Sequence, residues 1–189
     1  MAGRPLGFDR DAALAAAVEQ FWRTGYAETT ISMLTAAMGV TPPSLYTAFG
    51  DKNRLFEEAS ENYFRRTCEA LDGFAEARTA RDAIAQMLDG TARAHTDTAT
   101  PPGCLMLTEP RLAGQRDDLR RRLVDRLDRG VRDGDLPPHT SVDQLATFLV
   151  AVMRGMSGAA RDGGTFEDLS AIAAVAMAAL PPSEGAGAS

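Results

Sequence analysis

The sequence predicts an all-α fold: an N-terminal three-helix domain built around a helix-turn-helix, then a larger helical domain, about nine helices together. Three observations predict it. Apolar residues recur at three- and four-residue spacing, and no stretch shows the two-residue alternation of a half-buried strand. Ser, Thr or Asp precedes most of these periodic segments and Gly or Pro follows them, as helix caps and stops require. The segment from Thr29 to Lys52, TTISMLTAAMGVTPPSLYTAFGDK, reads as two short helices joined by a glycine turn. Such a motif lays its second helix in the major groove of DNA.

Residues 1–7 are expected to form a flexible arm. Asp9 or a neighbour starts the first helix, where Leu14, Val18, Phe21 and Trp22 recur at helical spacing until Gly25 ends it. Thr30 is placed to cap the second helix, with Ile31 and Leu34 on its apolar side. Gly39 stands where that helix must stop, in a left-handed turn that favours glycine. Thr41 caps the third helix, with Pro42 and Pro43 in a first turn that has no use for their missing N–H groups. Leu45 and Phe49, four apart, face inward. Thr41, Pro42, Ser44, Tyr46 and Thr47 are left for the outward side. Asp51 caps a long fourth helix running to about Phe74, and the domain boundary is expected inside it.

Beyond it, Thr79 and Asp82 resemble a capping box opening a fifth helix, with Ile84, Met87, Leu88, Thr91 and His95 on one face. TATPPG breaks it. A short sixth helix from Cys104 to about Glu109 stops before Pro110. The seventh carries Leu119, Leu123, Leu127 and Val131 on one side, with Asp118–Arg122 and Asp125–Arg129 four apart on the other. Ser141 and Gln144 suggest a second capping box, opening a helix that presents Leu145, Phe148, Leu149, Val152, Met153 and Met156. After Gly163 and Gly164, Thr165 and Asp168 cap the ninth helix, whose apolar set is Leu169, Ile172, Val175, Ala176 and Leu180. Pro181 and Pro182 end it, and 183–189 is expected to be a disordered tail. The domains read as 1–56 and 57–182.

The residues Phe21, Gly25, Thr29, Thr30, Ile31, Leu34, Gly39, Val40, Leu45, Tyr46, Phe49, Lys52 and Leu55 follow one another in an order and spacing that resembles the tetracycline-repressor (TetR) family of bacterial regulators. The match runs over roughly residues 8–60 and departs from the family twice. Thr35 stands where alanine is usual in the tight contact between helices. Pro42 and Pro43 occupy positions where relatives often carry longer polar or basic side chains. The resemblance implies an all-α homodimer with a variable C-terminal ligand domain. It implies that Tyr46 and Lys52 meet DNA phosphates. Thr29 and Thr30 are candidates both to cap and to donate to phosphate. Thr41, Ser44 and Thr47 are the candidate base readers through hydroxyls or methyls, and Pro42 and Pro43 can contact only by shape or apolar packing. Arg4, on the arm, has the chemistry to enter a narrow minor groove.

With 189 residues, the chain is long enough for one or two small domains with a real core. No apolar run approaches the ~18 residues of a membrane span, and the start, MAGRPLGFDRD, has no apolar signal-peptide core. These observations and only two cysteines predict a cytoplasmic protein. A net charge of −6 argues against indiscriminate coating of DNA. Through residue 56, Arg4, Arg10, Arg23, Lys52 and Arg54 balance Asp9, Asp11, Glu19, Glu28 and Asp51. Affinity is therefore expected from helix N-termini and hydrogen bonds more than from a positive patch, with a modest salt slope.

The resemblance further implies a small-molecule effector pocket among helices five to eight. Met87, His95, Cys104, Met106, Leu107, Phe148, Met153 and Met156 are the candidate lining, with His95 and Arg111 to orient a polar group. Methionine-rich linings suit apolar or amphipathic ligands. It also implies dimerisation through helices eight and nine, by Phe148, Val152, Leu169, Ile172, Val175 and Ala176. No cofactor, metal site or catalytic residue is expected. The chain shows no di-iron, zincin, phosphate-loop or nucleophile-elbow motif. The expected partners are double-stranded operator DNA, a small-molecule effector and a second copy. Two alternatives stand beside this reading. One is a thiol-based redox or soft-metal sensor using Cys68 and Cys104; the other is a helical interaction protein that does not bind DNA.

Overall fold

Local capping sets the helices in the computed structural model, which describes residues 7–181. Asp9 starts α1 (Arg10–Glu28) by accepting from the Asp11 and Ala12 amides. Gly25 breaks it, with φ of 73°, where sequence places the stop. Thr30 caps α2 (Ile31–Met38), and Gly39 closes it in the left-handed region at φ 66°. No side chain lies near an added Cβ at Gly39, so the glycine answers a backbone need alone. Thr41 caps α3 (Pro42–Phe49) by accepting from Ser44 N. Asp51 Oδ1 accepts from Arg54 N at 2.9 Å and opens α4 (Lys52–Ala75).

The remaining elements are α5 (Ala80–Thr96), α6 (Leu105–Thr108), a 3-10 turn (Pro110–Leu112), α7 (Ala113–Arg132), α8 (Val142–Arg161) and α9 (Phe166–Ala178). The described residues are all-helical, with nine α-helices and no strand. Thr165 and Asp168 make a full capping box on α9, and Thr79 accepts from Asp82 N. Ser141 makes no side-chain cap, contrary to the reading of Ser141 and Gln144. The α7 charges also pair differently from the expected four-residue spacing. Asp118 binds Arg121, Arg122 reaches Asp72 at 2.6 Å, and Arg129 donates to the Ala75 carbonyl. For Arg122 and Arg129, a carboxylate and a carbonyl brought near by tertiary packing replaced the intrahelical partner.

The chain divides between Arg66 and Thr67, later than residue 56. In the first unit α1 packs on α2 and α2 on α3, around buried Phe21, Leu34, Leu45, Phe49, Leu55 and Phe56. Phe21 and Phe56 meet edge to face at 5.0 Å, as do Trp22 and Tyr63. Tyr63 belongs to this aromatic cluster, which is why α4 stays with the first unit past residue 56. In the second unit α5 packs against α7, α8 and α9. Ile84, Met87, Leu88, Thr91 and His95 are all buried, as the periodicity predicts. Arg4 and the tail 183–189 lie outside the described residues.

Candidate nucleic-acid interface and effector cavity

The surface of α3 follows from its cap. Leu45 and Phe49 are buried. Thr41, Pro42, Pro43, Tyr46 and Thr47 are exposed and Ser44 half-buried. Tyr46 is 49% exposed, a large ring left in solvent on a helix otherwise well packed. The hydroxyls on this face are engaged locally. Thr47 Oγ1 donates to the Pro43 carbonyl at 2.8 Å, and Thr41 Oγ1 lies 3.0 Å from Ser44 Oγ. Thr47 therefore turns a lone pair and a methyl outward, not a proton. The first turn of α3 has no spare amide either. Pro42 and Pro43 carry none, and Ser44 N is taken by Thr41. The expectation that helix N-termini supply phosphate donors is corrected for α3; α2 keeps it, since Thr30 occupies only Met33 N.

Two supporting groups fix the motif. Arg10 forks onto Glu58 at 2.6 and 2.7 Å and lies over the Phe49 ring at 4.5 Å, joining α1, α3 and α4. The sequence reading left Arg10 among the balancing charges. Lys52 Nζ sits 4.3 Å over the Tyr26 ring, half-buried. Thr29 is the departure. It is 1% exposed, and its hydroxyl donates to the Gly25 carbonyl at 2.5 Å and pairs with Thr24 at 2.7 Å. That hydroxyl seals the break in α1, which removes it from the candidate phosphate donors. Thr35 likewise turns its hydroxyl back to Ile31 and Ser32 carbonyls, so the contact usually made by alanine accommodates threonine without an unmet donor.

The second unit holds a cavity of about 390 Å³, within the ~300–1,000 Å³ range of small-molecule sites. Its apolar wall includes Leu71, Phe74, Ile84, Met87, Leu119 and Leu123, with Arg122, Arg126, Arg129 and Arg132 also lining it. Of the expected lining only Met87 is there. Cys104, Met106, Leu107, Met153 and Met156 are buried in the core. Phe148 lines a separate shallow depression with Gln144 and Leu145. His95 is buried, and burial first, then Arg161, pushes its pKa down to about 4. It stays neutral at physiological pH, with Nδ1 unpartnered. Arg111, its expected companion, is exposed and does not line the cavity. This cavity is lined from α4, α5 and α7, and the α7 arginines in it read from the sequence as a solvated face. One signal was present: Arg126 follows Leu119 and Leu123 by seven and three residues, on their side of the helix.

On α8 and α9 the expected interface set splits. Leu169 and Ala176 are buried within this chain. Phe148 and Val175 are exposed, Val175 by 73%, and Val152 and Ile172 are half-buried. Both cysteines are buried, and burial pushes the Cys68 thiol up, against the thiolate form a sensor needs. The redox alternative is not favoured. Among the described residues no cluster of three or more His, Cys, Asp or Glu could hold a metal, and no helix is long and apolar enough to cross a membrane.

A capped recognition helix standing on a three-helix core, joined to a cavity-bearing helical unit, defines a helix-turn-helix transcription regulator with an effector domain. Residues 13–59 match the model for bacterial regulatory proteins of the tetR family, and residues 107–174 that for the tetracyclin repressor-like C-terminal domain. The HTH-type transcriptional repressor ComR of Escherichia coli (strain K12) is 34% identical over 95% of this chain and 92% of its own. The repressor BdcR of the same organism is 29% identical over 94% and 92%. A solved TetR family transcriptional regulator, a CifR cysteine mutant complexed with 26-bp double-strand operator DNA, superposes with a TM-score of 0.90 at 36% identity, covering 94% of this chain and 100% of that one. The chain belongs to the TetR family. Membership sets aside the alternative of an interaction protein without DNA binding.

Proposed function

We propose that this protein is a dimeric repressor that docks α3 of each subunit into successive major grooves of a palindromic operator and releases it when a small molecule fills the α4–α5–α7 cavity. The exposed face of α3, with half-exposed Tyr46 at its centre, carries this reading. The operator complex of the CifR relative supports it. Tyr46, Lys52 and Thr30 serve the phosphates; Thr41, Ser44 and Thr47 read base edges, with Pro42 and Pro43 in apolar contact. Arg4, on the arm, serves the minor groove. A two-fold dimer reads two half-sites one helical turn apart. The exposed Phe148 and Val175, with Val152 and Ile172 beside them, supply an apolar strip on α8 and α9 for the second copy. The protein acts in the cytoplasm as a regulator and not as a catalyst.

Effector binding shifts a population. Moving DNA-bound protein from mostly bound to mostly released takes about 5 kcal/mol of differential affinity. Gel shifts against the region upstream of the protein's own gene test the proposal. Tyr46→Ala with Lys52→Ala should weaken binding to every sequence, whereas Ser44→Ala should change which sequence is preferred. A folded dimer that shifts no DNA at low salt would overturn it.

A further inference from the structure

Four arginines reach the cavity against two aspartates, Asp72 and Asp125. Three of the four are engaged. Arg122 Nη1 donates to Asp72 Oδ1 at 2.6 Å, Arg129 Nη2 to the Ala75 carbonyl, and Arg132 Nε to the Asp128 carbonyl at 3.3 Å. Arg126 differs. It is 8% exposed. Its Nη2 donates to the Ala77 carbonyl at 3.1 Å, but Nε and Nη1 are buried with no partner. A buried guanidinium cannot shed its proton, so Nε and Nη1 keep their hydrogens with no acceptor. Burial, then Arg129, lowers its pKa, and Asp135, Asp133 and Glu76 oppose them without bonding Nε or Nη1. Of the lining carboxylates, Asp72 is held by Arg122 and Asp125 is exposed.

We infer that the cavity takes an amphipathic monoanion, an apolar body ending in a carboxylate, with Arg126 anchoring the carboxylate and Leu71, Phe74, Ile84, Met87 and Leu123 enclosing the body. This rests on the reading of the chain as an effector-responsive regulator, and names the class of its effector. A carboxylate brings charge and acceptor oxygens together, so it meets what Arg126 lacks. Arg129 and Arg132, bonded to carbonyls alone, leave the lining net positive, which favours an anion over a neutral ligand.

Calorimetric titration of the full chain with decanoate, 1-decanol and decylamine, each below its micellar range, tests the assignment. Decanoate should bind at least tenfold more tightly than decanol, and decylamine should not bind. Arg126→Gln should erase the preference for the anion while decanol binds as before. Ala83→Leu, which narrows the cavity from α5, should weaken both. Equal affinity of wild-type protein for decanoate and decanol, or no decanoate binding, would overturn the proposal whether or not Arg126→Gln folds. So would a folded Arg126→Gln protein that keeps the preference. Gel shifts on the same preparations separate the two readings. Failure of the unliganded protein to shift operator DNA would remove the regulator, while calorimetry judges the anion site independently.

Discussion

The two units of this chain deploy their polar groups in opposite ways. Around the helix-turn-helix, hydroxyls are tied to neighbouring backbone or to one another: Thr29 to Gly25, Thr35 to Ile31, Thr47 to Pro43, Thr41 to Ser44. Among the described residues, buried side-chain atoms without a partner include His95 Nδ1, Arg126 Nε and Nη1, Asp135 Oδ1 and Thr140 Oγ1 in the second unit and Ser60 Oγ in the first. The first unit is preorganised, as a surface must be to match a fixed duplex. In the second, Arg126 alone of these lines the cavity, where its unmet donors are open to a ligand's acceptor.

That contrast breaks most visibly in the core under α3. Leu45 is fully buried, and Leu45→Ala is expected to destabilise by about 3–5 kcal/mol. Urea unfolding should register the loss, with operator binding lost in parallel. The next effect belongs to the second unit. His95 titrates near 6.5 unfolded and about 4 folded, so folding favours its neutral form. Its contribution is complete above pH 6.5, declines as pH falls from 6.5 to 4, and is gone below. The decline should total about 3 kcal/mol, at 1.36 kcal/mol per unit. His95→Gln should remove that part of the slope in a comparison of unfolding free energies at pH 7 and pH 4.5.

A smaller change sharpens the preorganisation argument. Gly39→Ala forces a left-handed conformation on a residue with a Cβ, and open space around Gly39 leaves that conformational term alone. About 1–2 kcal/mol is expected, with Gly39→Asn recovering part of it; equal melting of the two variants would refute it. The smallest effect comes from Arg10→Lys. The fork onto Glu58 is 38% exposed on both sides, so solvent screening limits the loss to about 0.5–1 kcal/mol. A double-mutant cycle with Glu58→Gln measures it.

The sequence made the first unit legible because its determinants are local. Thr30, Thr41 and Gly39 each act within four residues, and their spacing is readable without a fold. The second unit was legible only where the same held, as at Thr165 and Asp168 or along the α5 face. What escaped depends on residues far apart in the chain. Arg122 chose Asp72 over Asp118, Arg129 chose the Ala75 carbonyl, and the cavity described takes its lining from α4, α5 and α7, with Met87 among it. Thr29 escaped for another reason: the break at Gly25 frees a carbonyl, and a hydroxyl four residues on turns inward to take it.

The paired prolines opening α3 have a consequence for how this regulator acquires new targets. They strip the nose of the helix of amide hydrogens, leaving rings, a methyl and oxygen lone pairs on its exposed side. Replacing Pro43 with any other residue would restore one backbone donor at the protein's leading tip. On the proposed reading, a substitution at Pro43 would change the peptide backbone and the side chain at once, whereas one at Ser44 changes the side chain alone.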